Sequence, residues 1–84
     1  MSDYLYMTTK HEAVLRAHRL WGPRRWRAPG FARIAQELVV VGLLVDCPDG
    51  WDITEVGKLA SVEGWGAVRV VNGVPEQERI PVAE

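Results

Sequence analysis

Residues 38–54, LVVVGLLVDCPDGWDIT, decide the fold. Leu38 to Val41 closes an apolar helix, and Gly42 stops it. Leu43 to Asp46 then reads as a strand, Cys47, Pro48, Asp49 and Gly50 as a turn, and Trp51 to Ile53 as the returning strand. Thr54 follows as the N-cap of a new helix. A helix, a tight hairpin and a second helix therefore follow one another within a short span.

Working back towards the N-terminus, the helix that ends at Gly42 begins near Phe31. Phe31, Ile34, Ala35, Leu38 and Val41 make its buried stripe, while Arg33, Gln36, Glu37 and Val40 face outward. Before it stands GPRRWRAPG, residues 22–30, too short and too broken for a full helix but able to form one turn from Pro23. An earlier helix is marked by Thr9 and Glu12, which have the form of a capping box. Its apolar face reads as Ala13, Val14, Ala17, Leu20 and Trp21, with Leu15 on a secondary stripe between His11 and His18, and Gly22 and Pro23 end it.

Working forward, Thr54 caps a short helix through about Val62, with Val56, Leu59 and Ala60 inward. Gly57 weakens that expectation by about 1 kcal/mol relative to alanine. Residues 65–71 are rich in valine and read as a strand, and Asn72-Gly73 is a strong hairpin signal. The return strand is expected at residues 78–82, confined to a sheet edge by Pro75 and Pro81.

Length allows one small domain over residues 1–84. Apolar residues make up 48% of the chain and charged ones 25%, which fits a soluble globular protein rather than a disordered one. The longest apolar run, residues 38–45, is far shorter than the roughly 20 residues a spanning helix needs. No signal peptide is evident, and Cys47 is the sole cysteine, so no internal disulfide forms; the expectation is a cytoplasmic protein. The net charge of -1 conceals an asymmetry. Residues 10–33 hold seven basic residues against one acid, and residues 34–84 hold nine acids against three basic residues. A basic face for nucleic acid or an acidic partner is one reading, and mutual attraction of the two halves is the other.

The order of helix, broken basic segment, apolar helix, GLL strand, turn, GWDIT strand and short helix resembles the winged-helix-turn-helix superfamily. The pattern of apolar helix, Gly-Leu-Leu, turn and Trp-x-Ile-Thr-x-x-Gly-Lys is similar to that of many small bacterial or phage-type regulators in the group. The resemblance covers residues 8–63, leaving residues 65–84 as a C-terminal β-hairpin extension. It implies an α+β fold in which the helix of residues 31–41 lies in the DNA major groove, flanked by the hairpin of residues 43–53. The chain departs from the superfamily where GPRRWRAPG replaces a second helix. Glu37 on the outward helix face would repel phosphate, Val40 offers no hydrogen bond, and Asp46, Asp49 and Asp52 argue against a wing–DNA contact.

Arg24, Arg25 and Arg27 around Trp26 are the sharpest local feature, since guanidinium forks suit phosphate oxygens and tryptophan stacks on cations. The alternative places Trp26 in the core, with the arginines paired to acids of the second half. His11 and His18 lie two helical turns apart and, even with Cys47, give no metal spacing; they read as ordinary surface or partly buried side chains. Asp46, Asp49 and Asp52 lack the spacing and terminal glutamate of a calcium loop. Trp21 and Trp51 are expected inside, Trp26 and Trp65 exposed.

No nucleophile–base pair, paired carboxylates or metal cluster is visible, so the expectation is a protein without enzymatic activity, cofactor or small-molecule substrate. Two functions stand. The first is a regulator that binds double-stranded DNA through Arg24, Arg25, Arg27, Arg33 and Gln36. The second is a protein-binding module, such as an adaptor or an inhibitor from a phage or mobile element, presenting Trp26, Val40 and Trp65. A second copy of the chain is one candidate partner.

Overall fold

The computed structural model describes residues 4–78. The order of elements is β1 (Tyr4–Tyr6), α1 (Thr9–Trp21), α2 (Pro29–Val40), β2 (Leu44–Cys47), β3 (Gly50–Ile53), α3 (Glu55–Glu63), β4 (Ala67–Val71) and β5 (Val74–Gln77). Among the described residues, three helices and two antiparallel sheets make it an α+β protein, with β2 and β3 in one sheet and the order β1-β4-β5 in the other. No helix among the described residues is long and apolar enough to cross a membrane.

α1 begins one residue earlier than the sequence suggests. Thr8, not Thr9, is the N-cap, and His11 takes the place expected for Glu12 in the capping box. The Thr8 hydroxyl accepts from the His11 backbone N–H at 3.4 Å, and His11 Nδ1 accepts from the Thr8 backbone N–H at 3.1 Å. With Nδ1 accepting, Nε2 carries the ring proton and donates to Glu37 Oε1 of α2 at 3.0 Å. The buried face of α1 is His11, Val14, Leu15, Ala17 and His18. Relative to the apolar stripe read from the sequence, the helix is turned by about one residue, or about 100°. Leu20 is half out of the core, and Trp21, expected inside, is 72% exposed. The physical reason is that both histidines find polar partners inside, which removes the cost of burying them.

α2 starts at Pro29, two residues before the expected Phe31, with no side-chain cap at Ala28. Ala35 and Leu38 are buried in it, and Phe31, Ile34 and Val41 pack partly against the core. Gly42, at φ +85°, lets the chain turn into β2. β2 and β3 pair from Leu44 opposite Ile53 to Cys47 opposite Gly50, leaving Pro48 and Asp49 as the turn. The segment of residues 22–28 forms no helical turn at Pro23. Instead Arg24 and Trp51 exchange backbone hydrogen bonds of 3.0 Å in both directions, laying the segment along β3.

Thr54 caps α3 as expected, accepting from the Gly57 N–H at 3.0 Å, while its hydroxyl points to the Gly42 carbonyl at 2.8 Å. Ala60 is buried and Val56 half-buried, but Leu59, expected inward, is exposed. The Asn72-Gly73 turn closes β4 on β5, both residues having positive φ as this two-residue loop requires. Such a loop forces pairing to resume at once, so the return strand is Val74–Gln77 rather than residues 78–82; residues 79–82 lie outside the described residues. β5 with Pro75 is an edge strand, and β1, not anticipated from the sequence, pairs with the other side of β4. The C-terminal hairpin therefore joins the N-terminal strand and not the β2–β3 sheet. The core gathers Val14, Leu15, Ala35, Leu38, Leu43, Leu44, Trp51, Ile53, Ala60, Trp65 and Val68.

Candidate nucleic-acid interface

The basic segment is anchored from below. Gly22, at φ +81°, ends α1 with its N–H on the His18 carbonyl at 2.8 Å. His18, 1% exposed, sits beneath the segment with its Nδ1 3.0 Å from the Gly22 carbonyl oxygen. Trp26 Nε1 donates to His18 Nε2 at 2.9 Å, and the Trp26 ring lies against Phe31 of α2 with centroids 5.2 Å apart. The Arg24 guanidinium covers the Trp26 ring at 4.2 Å from its centroid, a cation–π contact. Gly50 completes the fit, because a Cβ there would meet the Arg24 carbonyl and Arg25 Cα, both at 2.7 Å. Trp26 is therefore half-buried, a spine under the segment and not the exposed contact the sequence suggested.

Arg24, Arg25 and Arg27 are exposed above this spine. Arg33, Gln36 and Val40 are exposed along α2 at spacings that share one helix face, Val40 at 81%. Among the described residues none of Arg24, Arg25, Arg27 and Arg33 takes part in an ion pair; the pairs present are His11–Glu37, Glu55–Lys58 and Arg69–Glu78. No ion pair joins these arginines to Asp46, Asp49 or Asp52 among the described residues. Asp46 and Asp49 are exposed on the β2–β3 hairpin, and Asp52 accepts from the Ile53 N–H at 2.8 Å. Glu37, half-exposed on α2, leans towards α1. Its Oε1 accepts from His11 Nε2 of α1 at 3.0 Å.

Trp65 does not join Val40 in a surface patch. It is 5% exposed, packed in the core, and its indole N–H donates to Glu63 Oε1 at 2.8 Å. A groove of 770 Å³ of mixed character runs between α1 and α3, lined by Leu15, Leu20, Trp21, Ala60 and Trp65 together with Glu12, Arg16, Arg19 and Ser61. Among the described residues no group of three or more histidine, cysteine or acidic side chains is placed to hold a metal ion.

His18 is the residue sequence reasoning missed. Burial pushes its imidazole below the ordinary pKa of 6.5, opposed by the hydrogen bond to the Gly22 carbonyl and by Asp52, and aided by Arg24. The only sequence signal is its position four residues before the helix-ending Gly22, where a histidine can reach the terminal carbonyls. No protein-family model, curated protein or solved structure matches this chain.

Proposed function

We propose that this chain is a non-enzymatic nucleic-acid-binding domain of winged-helix type that binds double-stranded DNA. The observation that carries the reading is the set of three exposed arginines, Arg24, Arg25 and Arg27, on a segment held down by Trp26 and His18, with Arg33 exposed on α2, all four free of ion pairs among the described residues. Side chains positioned by a rigid underlayer lose less entropy on binding phosphate. In this reading α2 enters the major groove, with Arg33 and Gln36 towards base edges and Arg24, Arg25 and Arg27 on phosphates. The N-terminus of α2, which Ala28 leaves without a side-chain cap, adds backbone N–H groups of favourable polarity beside them. The β2–β3 hairpin corresponds to the wing, and its acids Asp46 and Asp49 keep its tip off the backbone.

Fluorescence anisotropy with a random-sequence duplex tests this. Three arginines on three phosphates give a log–log salt slope of about -2.7, or about 40-fold weaker binding from 50 to 200 mM salt. Arg24→Ala/Arg25→Ala should lower the slope to about -0.9. Absence of binding at low salt would sink the proposal.

The second reading, a protein-binding module, draws on the exposure of Trp21 beside the α1–α3 groove rather than on Trp26 and Trp65. It is favoured if duplex binding is absent and Trp21→Ala abolishes capture of an identified protein partner.

A further inference from the structure

The hydrogen bonds of His18 admit only one protonation state. The Gly22 carbonyl oxygen can only accept, so Nδ1, 3.0 Å away, must carry a proton. The Trp26 indole nitrogen can only donate, so Nε2, 2.9 Å away, must be bare. A second proton on the ring would set N–H against N–H at that distance and break the bond to Trp26. Trp26 cannot shift without disturbing what rests on it, namely the Arg24 guanidinium on one side and Phe31, in the first turn of α2, on the other.

We propose that His18 is the positioning residue of the arginine segment, and that nucleic-acid binding by Arg24, Arg25 and Arg27 requires its neutral, Nδ1-protonated form. This rests on the DNA-binding reading for its consequence, though not for the latch itself. The charged groups acting on His18 are Asp52 of β3, which favours a second proton, and Arg24 of the segment, which opposes it. The nearest acid of α2 to this face, Glu37, is engaged by His11, and Arg19 on α1 donates to Ser61 of α3 at 3.0 Å. Burial dominates and holds the latch closed at neutral pH.

The sign of the expected effect separates this latch from ordinary electrostatics. A protein that merely attracts phosphate gains positive charge as its histidines protonate, and binds DNA more tightly in acid. The latch demands the reverse: below the His18 midpoint, duplex affinity at constant salt falls by up to tenfold per pH unit. Anisotropy of the full chain with a random duplex, taken from pH 7.5 to one unit below the His18 midpoint that NMR gives, reads this directly. On the DNA-free protein, ¹⁵N NMR should show the Nδ1–H tautomer of His18, and the Trp26 indole resonance and the first-turn amides of α2 should move with the His18 midpoint while α3 amides stay put. Trp26→Phe keeps a ring under Arg24 and against Phe31 but has no N–H to collide with. It should bind several-fold less tightly at neutral pH and lose the acid fall.

Affinity that rises steadily in acid would overturn the proposal. So would a Trp26 resonance indifferent to His18, or loss of the whole fold in the same step. Absence of duplex binding at every pH would refute the DNA reading, while the NMR titration would still decide whether the latch exists.

Discussion

Replacing Gly57 by alanine should destabilise this protein, although alanine is the better helix former. Gly57 lies in the first turn of α3, where intrinsic propensity favours alanine by about 1 kcal/mol. Against this, a Cβ built on Gly57 would collide with the backbone carbonyl oxygen of Leu43, and would sit 2.8 Å from Ile53 Cγ1. Neither neighbour can retreat easily. Leu43 and Ile53 are both buried, and the Leu43 carbonyl accepts from the Thr54 N–H at 3.1 Å, part of the cap that starts α3. Overpacking costs about 1–3 kcal/mol, and loosening the cap adds about 1 kcal/mol. The net expectation is a loss of about 2 kcal/mol, a fall in Tm of roughly 8–16 °C for a domain of this size. Gly30 is the internal control. It also lies in a helix, with ordinary φ and nothing within 4 Å of its Cβ position, so Gly30→Ala should be neutral or stabilising by up to about 1 kcal/mol. Thermal and urea unfolding followed by circular dichroism measures both. A Gly57→Ala protein as stable as the parent, or more so, would refute the packing described for the α3–β2 junction.

Further outcomes follow from the other corrected positions. Trp21→Ala should cost less than about 0.5 kcal/mol because the side chain is largely in water, whereas Trp65→Ala should cost about 3–5 kcal/mol; urea midpoints in the reverse order would contradict the rotation of α1 and the burial of Trp65. Glu37→Ala leaves the buried His11 Nε2–H without its acceptor and should cost about 1 kcal/mol, while Gln36→Ala on the exposed face should be near neutral. His18 has a depressed pKa when folded, so the unfolded chain binds its proton more readily. Its contribution to stability is complete above pH 6.5 and declines as pH falls from 6.5 towards the folded pKa. Urea midpoints compared at pH 7.5 and 5.5 should therefore drop more for the parent than for His18→Leu, and equal drops would remove His18 as the cause.

What the sequence alone determined is what depends on neighbours along the chain. The Gly42 stop, the turn at Pro48 and Asp49, the Thr54 cap and the Asn72-Gly73 hairpin turn are set by backbone conformations that those residues favour locally, and they stand where the sequence places them. The stripe of α2 is legible for a related reason: it is almost wholly apolar on one side, so periodicity leaves one orientation. α1 is different. Its two candidate faces differ by two histidines, and hydropathy assigns those to water. Only tertiary structure supplies the Glu37 carboxylate and the Trp26 indole that, with the local Gly22 carbonyl, satisfy both rings and turn the helix by one residue. The same holds for the arginine segment. Its residue types were evident, but its extended path depends on the Arg24–Trp51 pairing across 27 positions, and its support depends on a histidine marked locally by nothing but its distance from Gly22. β1, too, has few residues of its own and exists only because β4 offers it an edge. Local propensity can choose a turn or a cap, but the burial of a polar side chain is decided by partners that only the folded chain brings within reach.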